Sequence, residues 1–174
     1  AVEKRLKTAL GSHYQSGDSY VLFKVQQEDG WRSSKAYKME SRKARFMKLV
    51  YLIAEKMPQN FLTRQKSGHT LLHVAAFMDL AGALIVMLTS LQWVEAEQYE
   101  DGRWLLRLID EQALLSLRSD NGATLLHEAA ITGAKQVTEM LRVLCPSMLH
   151  VRDKEGATIL HHACMHDYRY DFQS

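Results

Sequence analysis

The sequence predicts an all-α solenoid of three to four helical repeats with two insertions, and three observations carry this prediction. The chain has 174 residues, of which 47% are apolar and only 9 are Gly and 2 are Pro, so it suits one globular domain and not a disordered chain. Three segments align without gaps: FLTRQKSGHTLLHVAA (61–76), LSLRSDNGATLLHEAA (115–130) and LHVRDKEGATILHHAC (149–164). The glycines of the last two, Gly122 and Gly156, are 34 residues apart, which is a typical period of stacked helical repeats.

The three segments share more than a glycine, because the same Thr, Leu, His and Ala follow it at the same distances. The pattern G-x-T-x-L-H-x-A resembles the ankyrin repeat. The resemblance implies that the glycine forms a tight turn and that the threonine starts a first helix and hydrogen-bonds the histidine. It also implies that each histidine ties neighbouring repeats together and is largely buried. The residues in these structural roles are Thr70, His73, Thr124, His127, Thr158 and His161.

A degenerate first copy is predicted upstream, over residues 16–60. Here Gly17, Ser19 and Val21 stand at the glycine, threonine and leucine positions. Its outer helix is expected from Arg42 to Met57, where apolar residues recur at a spacing of three and four. An insertion of about 18 residues, relative to the repeat period, would separate its two helices.

The remaining copies complete a single domain over residues 1–174, and they are predicted at 61–114 (with an insertion), 115–148 and 149–174 (truncated). In copy two we expect an outer helix from Leu80 to Leu91, an acidic insertion from Gln92 to Gly102 and a further short helix from Trp104 to Glu111. In copy three we expect helices at Leu125 to Ile131 and Ala134 to Leu144, and in copy four an inner helix that ends near His166.

Catalytic and metal chemistry is weighed against ordinary packing. The run HHACMH (161–166) offers His161, His162, Cys164 and His166 as metal ligands, but Cys164 points away from the face shared by His162 and His166 on a helix. A catalytic Cys–His pair is the other alternative, and each candidate histidine already has a repeat position or is expected to be exposed. The sequence therefore predicts a non-enzyme without metal or cofactor, and its two cysteines favour a reducing compartment.

The charge is unevenly distributed. Residues 1–66 hold 14 Lys and Arg against 6 Asp and Glu, whereas residues 67–174 hold 8 against 14. The basic excess is greatest between Trp31 and Lys48, and three interpretations stay open: a solvated loop, an interaction or nuclear-import segment, and direct nucleic-acid binding. The last is disfavoured because the charge turns negative in the later repeats. The candidate residues of this basic loop are Arg42, Lys43, Arg45 and Lys48.

Recognition of another protein is the predicted function, because ankyrin packing leaves the turn tips and the outward positions of the inner helices free to vary. Exposed apolar residues there would form an interface if they are contiguous, although packing against outer helices or insertions is the alternative. No membrane partner is expected, since no segment is long and apolar enough to span one. The candidate partner-binding residues are Gln65, Lys66, Phe77, Met78, Asp120, Asn121, Glu128, Ile131, Asp153, Lys154, His162 and Met165.

A narrower resemblance involves the run LIAEKMPQNFLTRQKSGHTLLHVAA (52–76) and the enlarged first unit. Both are similar to inhibitor-of-NF-κB proteins, in particular the nuclear, zeta-like type. This resemblance implies an intracellular co-regulator, in the nucleus or cytoplasm, that binds a transcription factor or a signalling component through its repeats. The alternative is a general ankyrin scaffold or adaptor, within a larger protein, that has no connection with Rel-type factors.

Overall fold

The structure, a computed structural model, describes residues 20–24, 34–100 and 103–171, with side chains in 45–100 and 103–165. In chain order the helices are α1 (Ser34–Lys56), α2 (Leu71–Phe77), α3 (Ala81–Ser90), α4 (Glu111–Ser116), α5 (Leu125–Thr132), α6 (Lys135–Leu144) and α7 (Ile159–Asp171). Short 3-10 helices at Pro58–Leu62 and Pro146–His150 precede two of the repeat turns, and three strands are β1 (Tyr20–Lys24), β2 (Val94–Gln98) and β3 (Arg103–Leu108).

Two layers of helices form the repeat stack. The inner helices α2, α5 and α7 pack side by side in sequence order, and the outer helices α3 and α6 each return against the inner helix of their own copy. Helix α1 packs on α3 and so extends the outer layer by one helix. The predicted mostly helical repeat fold is confirmed.

The hydrophobic core lies between the two layers, and the inner helices α2 and α5 contribute the same buried leucine to it. Leu72 and Leu126 are fully buried, as are Leu84 and Leu88 of α3 and Leu141 of α6. These side chains belong to one continuous cluster, as expected for repeats that cannot bury their apolar faces alone.

The segment predicted as a short helix from Trp104 to Glu111 is instead strand β3, and this prediction was wrong. Strand β3 is the centre of an antiparallel sheet with the order β1-β3-β2. Trp104, Leu106 and Leu108 lie on one face of the strand and the arginines Arg103 and Arg107 on the other, and this alternation with a period of two is typical of a strand and not of a helix. A helix begins only at Glu111, where Asp110 Oδ1 accepts a hydrogen bond from the Ala113 N–H at 2.9 Å.

The first copy also differs from its prediction. Val21, placed at the leucine position of an inner helix, lies on β1, which pairs with β3; Gly17 and Ser19 lie outside the described residues. The run YVLFK is rich in β-branched and aromatic residues, which favour a strand. The outer helix starts at Ser34, before the predicted Arg42, and α7 continues to Asp171, past the expected end near His166.

None of the helices within the described ranges combines the length and apolar character that a membrane crossing requires.

Candidate functional site

The turn of each repeat is set by its glycine. Gly68, Gly122 and Gly156 have φ of 76°, 76° and 79°, values that a residue with a Cβ adopts only at a cost. In every aligned copy, the residue three positions before the glycine donates its N–H to the carbonyl of the residue that directly follows the glycine. The N–O distances are 2.8, 2.9 and 3.0 Å. The tips of the three turns are therefore held in the same local shape.

The threonine and histidine form a reciprocal cap at the start of the inner helices α2 and α5. The Thr124 N–H donates to His127 Nδ1 at 3.2 Å, and Thr124 Oγ1 accepts from the His127 N–H at 3.4 Å. The equivalent N–H donation from Thr70 to His73 Nδ1 is 3.1 Å. Because Nδ1 accepts a hydrogen bond, the proton of each neutral imidazole lies on Nε2.

That Nε2 proton links one repeat to the next. His73 Nε2 donates to the Ala123 carbonyl at 3.4 Å, and His127 Nε2 donates to the Ala157 carbonyl at 3.2 Å. Burial lowers the pKa of His73 to about 4 and also lowers the pKa of His127, since a charged ring would be desolvated. Both histidines are therefore neutral structural links at neutral pH.

His161 does not follow the expectation of burial. It keeps the local cap, because the Thr158 N–H donates to His161 Nδ1 at 3.1 Å. Its side chain is nevertheless exposed, because no turn of a following copy lies over it among the described residues. The cap thus depends on residues of the same repeat, whereas burial of the histidine depends on the repeat that follows.

A row of apolar side chains crosses the outward face of the inner helices. Phe77, Ile131 and Met165 each stand nine residues after their repeat glycine, so they occupy equivalent positions on α2, α5 and α7. Phe77 is 46% exposed and Met165 is 52% exposed, and Ile131 between them is partly exposed. We call these three residues the apolar row; Met78, beside it, is also exposed.

The turn tips provide polar groups next to this face. Gln65, Lys66, Asn121 and Lys154 are exposed. Asp120 is exposed as well, and it forms an ion pair with Arg64 at 3.5 Å. Successive tips are joined by backbone hydrogen bonds, from the Asp120 N–H to the Ser67 carbonyl at 3.0 Å and from the Lys154 N–H to the Asn121 carbonyl at 2.9 Å.

Three of the predicted contact residues are already engaged within the fold. Glu128 is only 6% exposed, and its carboxylate lies 2.9 Å from His69 Nε2 of the preceding copy. This burial contradicts the expectation of an outward, variable position; the partner, His69, supplies the reason. Asp153 and His162 pair within copy four, with 2.8 Å between Asp153 Oδ2 and His162 Nε2.

The only described group of metal-ligand type, within residues 45–100 and 103–165, is His127, Asp153 and His162, whose ligand atoms lie within 4.8 Å of one another. It differs from the HHACMH set considered from sequence, of which His166 has no described side chain. Both ring nitrogens of His127 are used by the repeat, since Nδ1 accepts from Thr124 and Nε2 donates to Ala157. Repeat packing therefore accounts for the cluster.

Cys145 shows no activation as a nucleophile. Cys145 is buried, and this burial, with Glu111 nearby, raises the pKa of its thiol to about 11, so the reactive thiolate is scarce at neutral pH. Cys164 is exposed on α7.

The basic candidates lie on α1 and not in a loop, because α1 begins at Ser34. Arg45 and Lys48 are exposed. The side chains of Arg42 and Lys43 lie outside the described ones.

Residues 93–172 match the family model described as ankyrin repeats, in three copies. The repeat stack therefore has the ankyrin-repeat fold. No curated protein matches the sequence. Among solved structures, a similar chain comes from the crystal structure of the yeast ribosomal protein Rps3 in complex with its chaperone Yar1, with 17% identity, 84% of this chain and 89% of that chain covered, and a TM-score of 0.53. At this identity the likeness shows the fold. An ankyrin-repeat stack is in general a protein–protein interaction module and a non-enzymatic scaffold.

Proposed function

We propose that the ankyrin repeats bind a protein partner through the apolar row, with the turn tips as the polar rim of the interface. The single observation that carries this proposal is the exposure of Phe77 and Met165 at equivalent positions of α2 and α7, with Ile131 between them. Exposed apolar side chains that are contiguous mark interaction surfaces more often than scattered ones do.

The rim adds polar groups of both charge signs. Lys66 and Lys154 are exposed cations at the tips of copies two and four, and Asp120 is an exposed anion at the tip of copy three. An apolar centre surrounded by polar residues is the usual arrangement of a specific interface. The partner that fits is a polypeptide with apolar anchor side chains and hydrogen-bonding groups on both sides of them. The similar solved chain comes from a protein–protein complex, which is the kind of assembly proposed here.

The experiment compares proteins captured from cell extract by the unchanged chain and by the double variant Phe77→Ser, Met165→Ser. A matched control is Ile109→Ser, Val143→Ser, because these two side chains are also 46% exposed but lie outside the apolar row. We expect the row variant to lose a stoichiometric partner with about tenfold or greater loss of affinity, and the control to retain it. Equal retention by both variants would contradict the proposal, provided that their thermal midpoints match that of the unchanged chain.

A narrower candidate is an inhibitor-of-NF-κB-like nuclear co-regulator, and the observation that favours it is the sequence likeness of residues 52–76. In the structure this run includes the end of α1, the 3-10 helix at Pro58–Leu62 and the start of α2. Under this candidate the partner is a transcription factor, and the exposed basic side chains Arg45 and Lys48 of α1 assist binding or nuclear import.

The test measures binding to purified Rel-type dimers and nuclear localisation, each with Arg45→Ser, Lys48→Ser alongside the apolar-row variant. Binding that the row variant abolishes, and that weakens at higher salt only with the basic residues present, would support the candidate. An absence of binding at micromolar concentrations would remove it and leave the broader protein-binding proposal standing.

A further inference from the structure

Strand β2 forms one edge of the antiparallel sheet. The order β1-β3-β2 gives β2 a strand neighbour on one side only among the described residues. Its first residue, Val94, is buried, whereas each residue that follows in the strand is partly or fully exposed. An exposed sheet edge of this kind is a place where another strand can pair.

The register of β2 against β3 determines which backbone groups face this edge. Just after β2, the Tyr99 N–H donates to the Arg103 carbonyl at 2.8 Å, and just before it the Trp93 carbonyl accepts from the Ile109 N–H at 2.8 Å. Hydrogen-bonded positions occur at every second residue of an antiparallel ladder. The odd-numbered residues of β2 are therefore the ones that bond to β3.

The even-numbered residues present their backbone groups at the open edge. Glu95 and Glu97 bond to β3, whereas the N–H and carbonyl groups of Ala96 and Gln98 point away from it. Within the described part of the chain, no residue forms a hydrogen bond with these outward groups. A further strand would satisfy them, as strand pairing does elsewhere in the sheet.

The side chains along this edge are acidic. Glu95 and Glu97 lie on one face of the strand and are exposed, and Glu100 is exposed just beyond its end. Glu95 is held by Arg107 of β3, with 2.9 Å between Oε2 and Nε. Glu97 and Glu100 therefore contribute most of the negative charge that the described residues leave uncompensated.

This charge pattern disfavours pairing with a second copy of the chain. If two β2 edges paired antiparallel about Ala96, Glu95 of each copy would stand directly opposite Glu97 of the other. Like charges directly opposite one another destabilise a strand pair. The same carboxylates would stabilise a strand that has basic side chains at those positions.

The other face of β2 determines the second half of the pattern that an added strand needs. Ala96 and Trp104 lie on this face, pack against the core cluster and are partly exposed. An apolar side chain beside them would extend the core. Because side chains alternate across a strand, a segment with basic residues on one face and apolar residues on the other fits both faces.

We propose that β2 is a docking edge (Glu95–Gln98) for an extended segment of a partner protein in which basic and apolar residues alternate. The segment adds an antiparallel fourth strand to the sheet and bonds to the outward backbone groups of Ala96 and Gln98. Its basic side chains lie beside Glu95 and Glu97. The docking edge is separate from the apolar row and does not depend on the function proposed for that row.

The experiment uses the full chain and a synthetic probe, the peptide KVKVKVK with blocked ends. Amide hydrogen exchange, measured by NMR, contains its own reference because Glu95 and Glu97 already bond to β3. In the free chain we expect the Ala96 and Gln98 amides to exchange faster than those of Glu95 and Glu97. A saturating amount of probe should slow exchange at Ala96 and Gln98 by about tenfold or more and change the reference amides much less.

Two modified probes distinguish strand pairing from attraction between charges. In the proposed register a valine lies opposite Ala96 in a hydrogen-bonded pair, so the valine N–H groups face β2 and the lysine N–H groups face away. N-methylation of the valines should weaken binding by about tenfold or more, and N-methylation of the lysines should not. The charge-reversed peptide EVEVEVE should bind at least tenfold more weakly than the probe.

Two variants of the chain test the same edge. Ala96→Pro removes an outward donor without removing a hydrogen bond to β3, and it should weaken probe binding by about tenfold. Glu97→Lys should also weaken binding, and its exposed side chain keeps this test decisive if the proline variant fails to fold. The matched control is Glu155→Lys, at an exposed turn tip of copy four, which should bind the probe unchanged.

The proposal is overturned if the probe does not bind, or if valine N-methylation and Ala96→Pro both leave its binding unchanged. It is also overturned if the Ala96 and Gln98 amides of the free chain exchange as slowly as those of Glu95 and Glu97. Slow exchange at every protein concentration would assign the edge to another segment of the same chain. Exchange that slows as the protein concentration rises would assign it to a second copy.

Discussion

Copies three and four have nearly the same residues around their turns, yet they differ in what covers them. The caps match, since the threonine N–H donates to the histidine Nδ1 at 3.2 Å in copy three and at 3.1 Å in copy four. His127 is fully buried, whereas His161 is exposed. The local residues thus determine the turn and the cap, and the neighbouring repeat determines burial and, through it, stability and pKa.

The largest expected difference in the free energy of unfolding is between alanine variants of the equivalent leucines in these two copies. Leu126→Ala should lower the free energy of unfolding by about 2–5 kcal/mol, because it leaves a cavity in a fully packed site. Leu160→Ala should change it by less than about 0.5 kcal/mol, since Leu160 is 69% exposed. Urea unfolding followed by circular dichroism measures both variants, and similar losses in the two would break the comparison.

The same distinction explains what the sequence could predict. Turns and caps depend on residues within ten positions of one another, so the glycine, threonine and histidine spacing predicted the start of every aligned inner helix, at Leu71, Leu125 and Ile159. The exposure of His161 depends on the next repeat, and no spacing within copy four reports it. Its burial was therefore predicted wrongly.

Long-range pairing explains the other differences. Strand β3 pairs with β1, about 80 residues earlier in the chain, and the alternation of Trp104, Leu106 and Leu108 with two arginines was the signal available for a strand. Glu128 was expected to be free for a partner because it stands at an outward position of an inner helix, and its pairing with His69 of another copy is what allows its burial. Neither the β1–β3 pairing nor the Glu128–His69 pair was predicted from the sequence. For the Glu128–His69 pair, the available signal was an acidic residue and a histidine in neighbouring copies.

Acid should weaken the joint that His73 forms with the next repeat. The pKa of His73 falls from an ordinary value of 6.5 to about 4 on folding, so between these pH values the unfolded chain binds a proton that the folded chain does not. Stability is therefore unaffected by His73 above pH 6.5, falls as the pH drops through this window, and has lost about 3 kcal/mol near pH 4.

The measurement is the urea midpoint as a function of pH, compared with that of His73→Ala. The variant is less stable at neutral pH and should have a shallower decline towards pH 4, because it lacks the depressed group. If the urea midpoints of the two proteins fell equally as the pH drops, the lowered pKa of His73 would be contradicted.

Substitution of the repeat histidine should lower the free energy of unfolding more in copy three than in copy four. His127→Ala leaves the buried Thr124 N–H and the Ala157 carbonyl without their partner, which should cost about 1–3 kcal/mol at neutral pH. His161→Ala removes an exposed cap alone, with an expected cost of about 0.5 kcal/mol. Thermal unfolding of both variants tests this order, and a larger loss for His161 would reverse the role assigned to the neighbouring repeat.

The smallest effect distinguishes the two inner joints from each other. Asp79 and Gly133 occupy the same turn position, with φ of 56° and 66°, but only Asp79 has a side chain that reaches the next repeat. Its Oδ1 accepts a hydrogen bond from the Val137 N–H in the first turn of α6 at 2.9 Å. This acceptor satisfies a donor that the helix itself leaves unpaired.

Asp79→Ala removes the acceptor and keeps the strained φ, so we expect a loss of about 1 kcal/mol. Asp79→Gly removes the same acceptor but relieves the strain of a left-handed non-glycine residue by about 1 kcal/mol, so its stability should stay within about 0.5 kcal/mol of the unchanged chain. Hydrogen exchange of the Val137 amide should accelerate in both variants, because both lose the acceptor. An alanine variant as stable as the glycine variant would mean that strain at this turn contributes nothing, and an unchanged Val137 exchange rate would mean that Asp79 does not link the two repeats.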